Sequence, residues 1–419
     1  MKKMTFLFLM FITLGNANLF AENQNISQIP TVILLSFDGA RPDYFTKKTA
    51  PNITQFMKKG WKGELTSIFP SETFPNHTAI ITGCTAEEHG IVSNQFIDAT
   101  RGSFAYDMDP SWIQCEPIWA TAQKHGLKTA VTYWPLHGKG SWKGMKPTYQ
   151  NAVVTTDIRE IIKFDDEAKF QQMLQWLDLP AEQRPHLIFS WFAEIDTVGQ
   201  AFGPQSHEVQ KVIKKYDSLF GNFLTALQKK PDADRINILI VSGHGMEEMH
   251  YSMSLPYLGE ELRKQGMDNI IIKASGTNAK VHVKNSAEKR KALTLLQAMA
   301  KEKGAFQVYD VQELPDAWHS THKRSGDLLL IGKNKFFFLE KASTTEFLTD
   351  VREQHIGKHG YPPEDKSMRA VFFAHGPHFP QQSGIRQLHI TDIAPAIIKI
   401  LNLSPQPIDI AADTVLSSR

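Results

Sequence analysis

Several residues able to hold a cation or attack an electrophile sit where chain segments change character. Asp38 follows the apolar run Thr31–Phe37, and Glu194 and Asp196 follow the run His186–Phe192. His244 follows Ile236–Val241, inside Ser242-Gly243-His244-Gly245. Carboxylates and imidazoles suit divalent cations where thiolates are scarce, and the chain has only Cys84 and Cys115. A metal site here must therefore draw on Asp and His. Each residue alone also fits a helix cap or turn; convergence on one rim is what makes them informative.

A hydroxyl lies in Pro70-Ser71-Glu72-Thr73-Phe74-Pro75-Asn76-His77. Pro75 suits the first turn of a helix running through Ala79–Thr82, since proline has no N–H to lose there. Thr73 then lies near an N-terminus whose free N–H groups favour an anion. It reads as a cap or as a nucleophile. Asn94, in HGIVSNQ, reads as a turn residue or as an amide donor to a phosphoryl oxygen. His359, in the Gly-flanked KHGY, is a further ligand candidate. His77 and His89 read as buried or loop-stabilising, and His319 and His322 as a surface turn.

The elements that would position these groups show in the pattern of hydrophobicity. Thr31–Phe37, His186–Phe192 and Ile236–Val241 are unbroken apolar runs of strand length, as in strands buried on both faces of a parallel sheet. Helical stretches at Asn52–Lys59, Ile118–His125, Ala168–Leu177 and Val209–Lys229 alternate with them. The alternation predicts an α/β fold with a mostly parallel central sheet between helices. Such sheets bind ligands beyond the carboxyl ends of their strands, where Asp38, Glu194, Asp196 and His244 fall. From Leu255 to Ser343 the texture changes to that of a small α+β cap. Strands are expected near Ala279–Val283, Phe306–Val311 and Asp327–Gly332, with a helix over Ala287–Lys301. Ala370–Ala374 and a helix at Asp392–Leu401 resume the core. The expected division is a leader at 1–21, a core of 30–254 and 344–410, and an inserted cap of 255–343.

Composition sets the outer limits. The 419 residues carry 46 Lys+Arg against 44 Asp+Glu, a net charge of +2. That gives no basic footprint for a nucleic acid polymer and no polybasic membrane patch. With 42% hydrophobic residues the chain can bury a sizeable core, which excludes wholesale disorder. Lys2 and Lys3 precede an apolar run from Met4 to Leu14, with a small residue at Ala21. This is the layout of a secretory signal peptide, too short to span a bilayer. An exported, periplasmic or secreted chain without a transmembrane anchor is expected, starting near Glu22. In an oxidising compartment Cys84 and Cys115 could pair.

Taken in order, FDGxRxDY (37–44), FPSETFPNHTAIITG (69–83), HGIVSN (89–94), QWLDLP (175–180), DTVGQAFGP (196–204), SGHGM (242–246) and HGYPPEDKSMRAVFFAHGP (359–377) resemble the type I phosphodiesterase/nucleotide pyrophosphatase family of the alkaline phosphatase superfamily. The resemblance spans about 30–405 and implies an alkaline-phosphatase-like fold. It also implies hydrolysis of a small phosphodiester, such as a nucleotide or a lysophospholipid head group, through two zinc ions. By motif, Thr73 is the implied nucleophile and Asn94 the phosphoryl donor. Asp38 and His244 would hold one ion, and Asp196 and His359 the other. Phe74 and Tyr149 would form the apolar slot for the leaving group.

Two positions depart from that pattern. The family's D-x-x-G-H ends here in Gln200, and its S-D-H-G-M has Gly243 in place of Asp. Each implied site thus lacks one of three expected ligands. Three readings stay open. Glu194, Glu247, Glu248 or His250 could substitute; one metal or a harder ion could serve; or the chain could be a pseudoenzyme that binds a phosphate-containing ligand and cuts weakly or not at all.

Overall fold

The computed structural model describes residues 28–138, 140–151 and 165–403. The expected leader, with Lys2, Lys3 and Ala21, lies outside the described residues. An eight-stranded sheet runs through the centre. Its order is Arg386–His389, Trp61–Thr66, Ala370–His375, Ile236–Val241, Thr31–Phe37, Leu187–Phe192, Thr129–Tyr133 and Tyr149–Gln150. The Thr31–Phe37 strand pairs in parallel with both neighbours. Ala370–His375 alone runs antiparallel to its neighbours on each side.

The unbroken apolar runs follow from helices on both faces. In TVILLSF, Val32 and Leu34 pack into one core with Phe74, Ile80, Trp119 and Ile397. Ile33, Leu35 and Phe37 pack into the other with Phe170, Ile213, Tyr216 and Phe220. Period-two alternation therefore sends apolar side chains to both sides. Each fully buried one stabilises the fold by roughly 1.5–3 kcal/mol.

A smaller body with its own core lies where the sequence suggests a cap. Helices Leu255–Lys264 and Ser286–Lys303 cover an antiparallel sheet ordered Ile271–Ser275, Asn278–His282, Leu328–Gly332 and Phe306–Asp310. Leu258, Val281, Leu296, Phe306 and Leu330 form its centre. A three-stranded sheet straddles both expected boundaries, because Tyr251–Ser254 pairs with Phe336–Leu339 on one side and Leu348–Asp350 on the other.

Buried polar contacts dock the cap on the core. Arg324 Nε lies 2.7 Å from Asp98 Oδ2, and its terminal nitrogen donates to the carbonyls of Gly90 and Trp112. Cys84 and Cys115 are joined in a disulfide. Among the described residues no helix is long and apolar enough to cross a membrane.

Candidate active site

The carboxyl ends of the central strands deliver their polar residues to one cavity of about 440 Å³, whose wall includes Asp38, Thr73, Asn94, Asp196 and His359. Asp38 leaves its strand with its N–H donating to Phe192 O, and Gly39 turns the chain at φ +69°. A Cβ at Gly39 would lie 2.9 Å from Asp196 Cα. Glycine is needed there twice over, for the left-handed backbone and for the close approach that sets the two carboxylates side by side.

The helix carrying the nucleophile candidate begins where the first-turn reading of Pro75 places it. It spans Thr73–Thr82 with Glu72 at the cap position, so Thr73 is its first residue and Pro75 falls third. Thr73 Oγ1 lies 3.2 Å from His244 Nε2. His244 Nδ1 is 2.8 Å from Gly245 O, which can only accept, so that nitrogen carries the proton. In the neutral ring Nε2 then accepts, and the Thr73 hydroxyl donates. Asn94 Oδ1 accepts from Phe74 N–H at 2.9 Å, which fixes the amide and leaves its nitrogen for donation.

Asp196, His244 and His359 present ligand atoms that lie within 4.8 Å of one another. His359 Nδ1 donates to Ser71 O at 3.0 Å, leaving Nε2 bare and 3.6 Å from Asp196 Oδ1. Asp196 Oδ1 is buried without a hydrogen-bond partner. The His244 and His359 rings stack with centroids 3.7 Å apart. Burial raises the Asp38 carboxyl to about 7, against the lowering by His244 and with help from Asp196. Burial likewise raises Asp196, and burial together with His244 holds His359 well below the usual imidazole range. Carboxylates short of a counter-charge beside imidazoles with free lone pairs fit a divalent cation.

The sequence profile described as type I phosphodiesterase/nucleotide pyrophosphatase matches residues 32–362. The chain belongs to this family.

Its relatives and structural neighbours agree. An uncharacterized pyrophosphatase/phosphodiesterase of Schizosaccharomyces pombe is 30% identical, over 93% of this chain and 80% of its own. A bis(5'-adenosyl)-triphosphatase of Xenopus laevis is 29% identical, over 92% and 81%. An inactive threonine-to-alanine variant of the murine ectonucleotide pyrophosphatase/phosphodiesterase 5, in complex with AMP, superposes with a TM-score of 0.78 at 25% identity, covering 93% of this chain and 99% of that one. The alkaline-phosphatase-like fold expected from the resemblance is thus present in this chain, and the family is one of metal-dependent hydrolases.

The two positions at which the sequence was expected to depart from the family pattern are filled in different ways. Gln200 Nε2 donates to Asp196 Oδ2 at 2.7 Å, and Lys358 Nζ donates to Gln200 Oε1 at 2.9 Å. At Gly243 the space is taken: a Cβ would lie 2.7 Å from His77 Cε1. His77 is itself fixed, with Nδ1 donating to Thr73 O and Nε2 accepting from the Ser36 hydroxyl. Burial pushes this ring down to about 3, so it stays neutral. The four residues considered as substitutes are engaged elsewhere. Glu194 pairs with Lys215, Glu248 with His355, His250 with Lys335, and Glu247 accepts from the Glu248 N–H. None of the four lines the cavity.

Tyr149 is not part of the slot. It lies on the last strand of the sheet, stacked near Trp176 with its hydroxyl donating to Gln183 O. Its apolar ring covers an edge rather than a ligand. The aromatic partner of Phe74 at the cavity is Tyr106, with ring centroids 5.7 Å apart. Reading by sequence missed Tyr106, Lys358 and Glu72. Glu72 is fully buried, and its Oε2 accepts from Ser93 Oγ, Asn94 N–H and Ser275 Oγ at 2.6–2.8 Å. Asn278 of the cap donates to its Oε1 at 3.4 Å. One carboxylate thus ties the nucleophile's helix, the Asn94 loop and the cap together. The available signal was its place directly before Thr73 in a motif otherwise free of charge.

Proposed function

We propose that the chain hydrolyses phosphodiester or pyrophosphate bonds of small nucleotide-like substrates, with Thr73 as nucleophile. The observation that carries this reading is the Thr73 hydroxyl at a helix N-terminus, donating to His244 Nε2 and facing Asn94 in a cavity edged by Asp38, Asp196 and His359. A bound cation, zinc by the preference of carboxylate and imidazole donors, would polarise the phosphoryl group and lower the hydroxyl's pKa.

The chain's own groups supply the rest. Thr73 Oγ attacks phosphorus in line and its proton passes to the neighbouring Asp38 carboxylate, giving a phosphothreonine and releasing the alcohol or phosphate leaving group. Water then cleaves the phosphothreonine. The Asn94 amide donates to a phosphoryl oxygen as its charge grows. Phe74 and Tyr106 offer an apolar wall to the leaving group, of a size that suits a nucleobase. The Xenopus relative's name and the AMP complex of the murine neighbour support nucleotides over a lysophospholipid head group. A protein with an inserted cap over 255–343, exported to the periplasm or beyond, completes the proposal. The disulfide supports that compartment.

The test is hydrolysis of a nitrophenyl nucleotide diester and of a dinucleoside polyphosphate, with zinc or manganese, by wild type and Thr73→Ala. Turnover that disappears in the variant is expected. Undiminished turnover in the variant would sink the assignment of Thr73. The Lys358–Gln200 contact favours a second reading, binding without efficient cleavage, which predicts phosphate affinity with no turnover in either protein.

A further inference from the structure

Both departures from the family pattern remove a ligand, yet neither leaves a gap. Gln200 spends its amide nitrogen on Asp196 Oδ2, while Oδ1 of that carboxylate is buried without a partner and is the oxygen offered to a cation. At Gly243 the His77 ring, held from two sides, occupies the volume of a missing side chain. Among the described residues, Asp196, His244 and His359 are the set of three metal-ligating side chains close enough to share an ion. That set draws ligands from both sites implied by the family pattern. Three protein ligands with a position left open is the arrangement of a catalytic rather than a structural ion.

Removing a second cation leaves the transferring phosphoryl group short of positive charge, and one side chain is placed to supply it. Lys358 precedes the ligand His359, lines the cavity, and has its Nζ 2.9 Å from Gln200 Oε1. A solvated lysine would turn outward. This one is oriented by a residue that is itself fixed on Asp196. An ammonium keeps two further donors after bonding Gln200, enough to meet a phosphoryl oxygen.

We propose that the site holds one divalent cation, on Asp196, His244 and His359, and that the Lys358 ammonium, oriented by Gln200, supplies the second positive charge to the substrate's phosphoryl group. The inference rests on the phosphodiesterase reading above, but its test does not depend on turnover. Wild type, Lys358→Met and Lys358→Arg are dialysed against zinc, and bound metal is counted by elemental analysis. Inorganic phosphate binding is then titrated calorimetrically on the zinc-loaded proteins.

One ion per chain is expected in all three. Lys358→Met should bind phosphate about tenfold more weakly and turn over about 100-fold more slowly. Lys358→Arg, which keeps the charge, should recover most of the affinity. Two ions per chain in the wild type, or none, would overturn the single-cation half. Phosphate affinity unchanged in Lys358→Met would overturn the lysine half. Unchanged melting temperatures in both variants would exclude misfolding as the cause of a loss. If no protein in the series turns over, the phosphodiesterase reading falls, while the ion count and phosphate affinity still decide this one.

Discussion

The two positions that break the implied ligand pattern, Gln200 and Gly243, are surrounded in opposite ways. Around Asp196 the replacement is polar: Gln200 bonds the carboxylate and brings a lysine to the cavity. Around Asp38 the replacement is steric: Gly243 leaves no group of its own and the His77 ring packs over it. The first half keeps a positive charge within reach of substrate. The second keeps only geometry, but that geometry holds the Thr73 carbonyl from behind while His244 meets the hydroxyl in front. Under the proposed reading, a missing ligand is answered by charge on the Asp196 side and by packing on the Asp38 side.

The largest expected effect tests whether the Asp38 half is the reacting half. Thr73→Ala should lower turnover by about 10⁴-fold or more, the scale seen when a nucleophile is removed, with the melting temperature unchanged. Residual activity within tenfold of wild type would move the chemistry to the Asp196 half. Next in size is Glu72→Gln, which places an amide where three donors meet one carboxylate oxygen. Misplacing Asn94 and Thr73 should cost about 10²-fold in kcat, with KM much less affected. A loss confined to KM would show that Glu72 only docks the cap.

A pair of substitutions compares the two repairs directly. Gly243→Asp must displace the His77 ring, and such overpacking costs about 1–3 kcal/mol. Gln200→His changes a half-buried group at the cavity and should cost under about 1 kcal/mol. Adding His77→Ser to Gly243→Asp should recover part of the loss. Chemical denaturation reads all of these. A Gly243→Asp protein as stable as wild type would mean that the ring yields freely, and that the packing repair is no repair.

The frame was legible in the sequence because burial on two faces leaves unbroken apolar runs, and because open parallel sheets gather ligands at one rim. Asp38, Asp196 and His244 were placed on that rim by position alone. What escaped notice depended on long-range pairing. Glu72 meets Ser275 and Asn278 more than 200 residues away in sequence, and no local pattern announces a buried carboxylate. Lys358 reads as a solvated cation until Gln200 is seen beside it. Tyr149 was assigned from the resemblance alone, with no local motif around it, and the structure places it on the edge strand beside Trp176. The helix at Thr73 was legible because Pro75 marks its first turn, which leaves Thr73 at its N-terminus.

The smallest expected effect concerns the charge that both halves share. In the metal-free protein burial raises Asp38 from 3.8 to about 7 and raises Asp196 in the same direction. Between those values the folded chain holds protons that the unfolded chain has released. Stability therefore falls as pH rises through that window, being fully present below the unfolded value. Melting of chelator-treated protein should show a declining temperature from about pH 4.5 to pH 7. A bound cation removes the penalty for ionising these carboxylates, so the gain in melting temperature on adding zinc should grow over the same range. A metal-free melting temperature that rises from pH 4.5 to 7 would mean that the two carboxylates are already neutralised by a partner. Lys358, joined to Asp196 through Gln200, is the group on the polar side that could do so. Repeating the melts with Lys358→Met then separates the halves: a steeper decline assigns the neutralisation to the lysine, and an unchanged slope leaves Asp38 as the dominant titrating group.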